Sequence, residues 1–288
     1  MPNQDNIDNK PEIMTNITQI LNAVQKQKTT YASNYWVPSL GRDVRFSELN
    51  TSQQKRLIKS IVDSPVYNTE FIQTFRDILR ENCVEDGVDI DTLTVIDKLF
   101  IALGLRISSV GGRIDLDIQP DPEKPSQAVS VDLIKLHETA KSTLSSIQPV
   151  TYENELFVIE CNVPTVGAEY TLERELRLNN ENIEIETNKA LRDTIGEAFI
   201  DEIVKYISNV SVKTDGTVTP VSWNKFNFKD RITVVESFNT ALLKEIVGYI
   251  NKVKEESNKI EVVKFQFEGK EYDRRLTIDG SFFMISSN

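Results

Sequence analysis

At 288 residues, the chain is long enough for one large domain or two ordinary ones, and 39% hydrophobic with 27% charged content suits a packed core. A formal net charge of −11 argues against nonspecific nucleic-acid binding, which needs clustered Lys and Arg to neutralise phosphates. The longest apolar run, near Leu99 to Leu105, falls far short of the ~20 residues that cross a bilayer, and residues 1–15 lack the apolar core of a secretory signal, so cytosolic residence is expected.

Residues 1–11 are rich in Asn, Asp, Gln and Pro, and disorder is expected there. Over 12–27, Ile13, Ile17, Ile20, Leu21 and Val24 recur at helical spacing. Such a helix either lies loosely on the protein's own core or orders on a partner. Residues 35–49 read as extended, with Trp36-Val37-Pro38-Ser39 and Val44-Arg45-Phe46 flanking a turn at Gly41. Asn50, Thr51 or Ser52 is placed to cap a helix carrying Leu57, Ile58, Ile61 and Val62, which Ser64-Pro65 ends. A second helix is predicted over 69–82, with Phe71, Ile72, Phe75, Ile78 and Leu79 inward. A third, over 92–108 and capped by Asp91, is apolar on most sides through Val95, Ile96, Leu99, Phe100, Leu103 and Ile107. It should be the central helix of this part.

Gly111-Gly112 breaks that helix, and Ile114, Leu116 and Ile118 alternate as a strand. Pro120, Pro122 and Pro125 mark a turn-rich linker, followed by a short helix over 131–145. Residues 155–163 and 169–178 read as strands. A long helix is predicted over 186–208, with Leu191, Ile195, Phe199, Ile203 and Ile207 on one face. Asp215-Gly216 signals a tight hairpin, because both residues accept positive φ. Another long helix over 229–257 carries Val235, Phe238, Leu242, Ile246, Tyr249 and Val253, and residues 260–285 read as a hairpin or three-stranded meander around Glu268-Gly269. The expected fold class is α+β. A helical subdomain with a small strand pair (34–119) follows an N-terminal arm with a weak helix (1–33). A linker with a short helix (120–150) leads to an α+β portion of two long helices, antiparallel strands and a terminal hairpin (151–288).

The chemistry-bearing residues are sparse. His137 is the single histidine, and His137-Glu138 lacks the second His of a zinc-hydrolase helix. With Cys83 and Cys161 it makes three dispersed ligands, not a paired zinc set, and the two cysteines read as small hydrophobes. Asp86, Asp89 and Asp91 suggest a calcium loop, but the positions that need Gly and Glu hold Thr94 and Phe100, so capping and turns are their expected work. Gly111-Gly112-Arg113 is too short to cradle phosphate, and no nucleophile elbow occurs. Asp273-Arg274-Arg275 reads as an exposed strand-end charge pair. Trp36, Trp223, Phe226 and Phe228 have few basic neighbours and suit packing better than base stacking. Residues 151–202 hold 13 acidic and 4 basic residues, an acidic face or a docking site for a basic partner. No catalytic, cofactor-binding or metal-ligating residue is assigned.

The stretch from Tyr35 to Gly112 carries a resemblance. It includes Val37-Pro38-Ser39, Gly41-Arg42, Phe46-x-x-Leu49, Gln54-Lys55-x-Leu57, Leu93-Thr94-x-x-Asp97 and Leu105-Arg106. These residues resemble the baseplate hub and hub-assembly proteins of T4-like contractile-tailed bacteriophages, and from residue 155 onward the organisation is similar. The resemblance implies a non-enzymatic tail protein that builds or assembles the central hub through contacts with other baseplate proteins. It also implies residence in the host cytoplasm during assembly, in the virion baseplate, or in both, with homo-oligomerisation open. The alternatives are an enzyme working through dispersed carboxylates, and an interaction protein of another assembly. Asp97 interrupts an apolar helix and is expected to pair with Arg106 or Lys55, since an unpaired buried charge is costly.

Overall fold

The computed structural model describes residues 16–30, 32–63, 69–119, 125–180 and 199–284. The expectations for residues 1–11, Ile13, Ser64-Pro65, Pro120, Pro122, Leu191 and Ile195 lie outside these residues. The fold is α+β. Helix α1 (Ile17–Thr30) precedes a hairpin of β1 (Ser33–Val37) and β2 (Arg42–Phe46), whose turn contains Gly41 at φ 61°. Helices α2 (Thr51–Asp63) and α3 (Thr69–Asn82) pack together, and α3 has the predicted bounds. Asn50 caps α2: its side chain accepts from the Gln53 N–H (2.9 Å), while Gln53 accepts from the Asn50 N–H (3.1 Å).

The central helix α4 (Val95–Ser109) is nearly encased, with Phe100, Ile101, Ala102, Leu103 and Leu105 all fully buried. Its cap is Thr94, not Asp91. Asp91 instead sits in a short 3₁₀ turn (Ile90–Thr92), held there by ion pairs described below. After α4 come the hairpin β3 (Arg113–Ile118) and β4 (Gln127–Asp132), then α5 (Leu133–Thr143), capped by Asp132. The predicted helix over 131–145 thus begins later, because Val129 and Val131 are taken by pairing with Leu116 and Ile114.

The main sheet is antiparallel, in the order β5 (Val150–Glu153), β6 (Phe157–Cys161), β7 (Ile207–Thr214), β8 (Thr217–Pro220). At the β7–β8 turn, Asp215 and Gly216 take φ values of 49° and 77°, the geometry of a primed hairpin turn. Three long-element expectations are corrected. Residues 169–178 are not a strand but part of helix α6 (Val166–Asn180), which starts where the Thr165 hydroxyl accepts from the Ala168 N–H at 3.2 Å. The helix expected to run to 208 ends at 206, where α7 (199–206) gives way to β7; Ile207 therefore pairs with Cys161 in the sheet. The single helix expected over 229–257 is two, α8 (Phe228–Glu236) and α9 (Thr240–Glu261). Asn239 breaks the pattern by accepting from the Leu242 N–H (2.9 Å) as the cap of α9.

Beyond α9, β9 (Val262–Phe267) and β10 (Lys270–Arg275) form the expected hairpin through Glu268-Gly269. No third strand follows among the described residues. Phe282 and Phe283 are adjacent and both buried, which an alternating strand cannot achieve, and a 3₁₀ turn (Gly280–Phe283) places them. This turn lies on α2: a Cβ on Gly280 would sit 2.1 Å from the Leu57 carbonyl oxygen. Phe283 then packs on Phe75 of α3 with ring centroids 5.6 Å apart. Buried apolar side chains form one continuous cluster from Tyr35 to Phe283.

Candidate functional site

Charged side chains of α4, α6, α7, α9 and β10 converge on a cleft of about 240 Å³. Lys98 of α4 is buried and donates to both carboxylate oxygens of Glu169 on α6, at 2.6 and 2.5 Å. One turn further along α6, Glu173 accepts from Lys205 of α7 at 2.8 Å. Glu202 lies 3.9 Å from Lys205 and 3.2 Å from Lys254 of α9, and Glu261 pairs with Arg275 at 2.5 Å. Each of these cations is matched by a carboxylate.

Burial opposes the charge on Lys205, but Glu173, Glu202 and Glu169 outweigh it and hold its ammonium above the ordinary lysine range. Burial likewise pushes the neighbouring Tyr206 hydroxyl up, with Glu202 and Glu169 adding to the effect. Both groups therefore stay protonated at neutral pH, and neither is poised as a base. The cleft is organised as a set of satisfied ion pairs between helices.

A second clamp sits beside it. Asp91 accepts from Arg76 Nε and Nη2, both at 2.6 Å, and also pairs with Arg80. The Arg76 guanidinium lies 4.5 Å from the Tyr170 ring centroid, so one side chain ties α3 to the 3₁₀ turn and to α6. The hydrogen bonds from Arg76 hold the Asp91 carboxyl below the usual range.

Asp97 is fully buried, and its expected partners Arg106 and Lys55 are not the ones it takes. Its Oδ1 accepts from the Ser39 N–H (2.8 Å), and its Oδ2 from the Thr94 N–H and hydroxyl (both 2.7 Å). Backbone donors compensate this carboxylate and bind the β1–β2 turn to the start of α4. Arg106 donates instead to the carbonyls of Gly111 and Arg113, closing the turn after α4.

The remaining candidates are dispersed. His137 stacks on Phe100 at 4.3 Å between ring centroids, and burial followed by Lys141 lowers its pKa. Cys83 is half-buried beside α3, and Cys161 is buried in β6; both are free thiols. Burial pushes the Cys161 thiol up to about 12. Asp89 caps the 3₁₀ turn by accepting from the Asp91 N–H at 3.0 Å. Among the described residues no group of three or more His, Cys, Asp or Glu is placed to hold a metal ion, and no helix is long and apolar enough to cross a membrane. Trp223 is buried, with its indole N–H on the Ile207 carbonyl (3.0 Å), and Trp36 carries Lys141 5.6 Å over its ring. Both are packing residues. Asp273-Arg274-Arg275 is exposed, and only its last member is drawn into the cleft, through Glu261.

The sequence reading missed the cleft. Lys98 was visible as a charge on an apolar helix, but its partner Glu169 is 71 residues away, in a segment read as a strand. In a comparison with known families, the model described as T4 bacteriophage base plate protein matches residues 28–264. No curated protein and no solved structure matches the chain.

Proposed function

The chain belongs to the T4 bacteriophage base plate protein family, and from that premise we propose that it acts without catalysis in assembling or forming the baseplate's central hub. The match over residues 28–264 carries this reading. The ion-pair cleft supports it: Lys98, Lys205, Lys254 and Arg275 are each paired with a glutamate, as suits a joint between elements of the fold. No catalytic, cofactor or metal role is assigned to any residue. Its partners are other baseplate and hub proteins, met first in the cytoplasm of the infected host. Exposed apolar residues at the end of the main sheet offer contact surface. Leu156 and Val218 flank Lys213 there, and all are at least partly open to solvent.

The test disrupts the gene in the phage and measures the protein composition of the resulting tails. Tails lacking hub components, restored by supplying the protein in trans, are expected. Tails with a full hub complement would refute the reading. Purification of the tagged protein from infected cells should recover hub or other baseplate proteins.

A further inference from the structure

Strand β10 leaves one edge of its two-stranded sheet open. Its single strand neighbour is β9, and Glu271, Asp273, Arg274 and Arg275 are all exposed. The pairing register fixes which backbone groups that edge presents. The Leu276 N–H donates to the Glu261 carbonyl at 2.6 Å, and Arg274, Tyr272 and Lys270 follow at intervals of two, so these residues bond toward β9. The N–H and C=O groups of the alternate residues Glu271, Asp273 and Arg275 therefore point away from β9. The β8 edge of the main sheet is different. There the Val221 N–H donates to the Val210 carbonyl, so the residues facing outward are Val218 and Pro220, and proline has no N–H to offer.

The β10 edge complements itself. With a second copy's β10 laid antiparallel about a two-fold axis through Asp273, Glu271 stands opposite Arg275 of the second copy, and Arg275 opposite its Glu271. On the other face Tyr272 and Arg274 meet crosswise, a cation–π pair on each side of the axis. The two Asp273 carboxylates face each other at the axis, but Lys264 is the β9 partner of each, so two lysines flank the two acids. Arg275 remains 63% exposed while bonded to Glu261, and its guanidinium keeps donors for a second carboxylate. Moving the register by two residues loses the match: one shift sets Glu271 opposite Asp273, the other sets Arg274 opposite Arg274. Charge thus selects both the partner and the register.

We propose that β10 is a self-association edge through which two copies of this chain join, making a four-stranded antiparallel sheet in the order β9–β10–β10–β9. The strand lies beyond the family-matched residues 28–264, so this inference stands apart from the hub reading and can fail without it. Six residues a side bury less than the ~1,200 Å² of a stable interface, so the dimer is weak and concentration-dependent.

Sedimentation of the full chain, from low micromolar to several hundred micromolar, tests this. The expected result is a monomer-to-dimer transition. Asp273→Pro should abolish it, since the N–H removed points away from β9 and the hairpin ladder survives without it. Glu271→Arg and Arg275→Glu should each weaken the dimer about tenfold by setting like charges opposite. An equimolar mixture of these two variants restores both Glu–Arg pairs and should dimerise as the wild type does; this arm decides the matter if the proline disturbs the hairpin. A wild-type chain that stays monomeric overturns the proposal and leaves the edge to a strand of another protein. A dimer indifferent to the substitutions, or a mixture that stays monomeric, overturns it as well.

Discussion

Asp97→Ala should cost the protein about 3–5 kcal/mol, a large part of the ~5–15 kcal/mol that holds a domain folded. The carboxylate is fully buried and accepts three hydrogen bonds, from Ser39 N–H, Thr94 N–H and Thr94 Oγ. Hydrogen bonds to a charged group contribute ~1.5–3 kcal/mol each, and a buried donor left without an acceptor costs ~1–3 kcal/mol. The simple sum overshoots, because removing the side chain also removes the desolvation penalty of the carboxylate and lets water reach the donors. Asp97→Asn keeps the shape but aims an amide donor at backbone or hydroxyl donors, so it should cost about 2–3 kcal/mol. Urea unfolding followed by far-UV circular dichroism measures both. The double variant with Arg106→Met should be additive, since Arg106 is engaged with Gly111 and Arg113. A loss below ~1 kcal/mol for Asp97→Ala, or strong coupling to Arg106, would refute the assignment of backbone donors as the compensating partners.

Phe283→Ala should destabilise by about 3–5 kcal/mol in the same unfolding assay, because the ring is fully buried against Phe75 and Phe282. Cys161 should resist a thiol reagent in the native protein at mildly alkaline pH and react only as the chain unfolds, since burial holds its pKa near about 12; Cys83, half-buried and also raised, should react first. The folded pKa of Asp91 lies below its unfolded value of ~3.9, so its contribution is present above that pH and is lost as pH falls through the folded pKa. Asp91→Asn should therefore flatten the acid limb of the stability–pH curve, with a loss near neutrality of about 1 kcal/mol, the pair being partly open to solvent.

Legibility in the sequence followed the range of the interactions. Helix α3 was readable to the residue because its apolar series and its end are local. The Asp215-Gly216 turn was readable for the same reason. Helix α6 was not: Glu169-Tyr170-Thr171-Leu172 alternates as a strand would, and what decides for helix is that Glu169 and Glu173, one turn apart, reach Lys98 and Lys205 on two other helices. The split between α8 and α9 was legible in principle, since Ser237-Phe238-Asn239 interposes a capping Asn, but continuous apolar spacing across it concealed the stop. Asp97 shows a different limit. Thr94-x-x-Asp97 is a capping box in the sequence itself, yet its Ser39 bond spans 58 positions, and only the fold supplies it.

These long-range pairs have a common consequence. Lys98, Lys205, Lys254 and Arg275 come from four elements, and each is answered by a glutamate from another position in the chain. Isolated surface pairs add little, but Lys98, Glu169, Lys205 and Glu173 are shielded from water, and removing one member strands its partner in low dielectric. A cleft built this way resists any change in the angle between α4, α6 and α7, because sliding one helix separates several charges together. Burial and the surrounding carboxylates hold Tyr206 in its protonated form, and the carboxylates outweigh burial to hold Lys205 in its own. The charge serves to fix the relative placement of the helices.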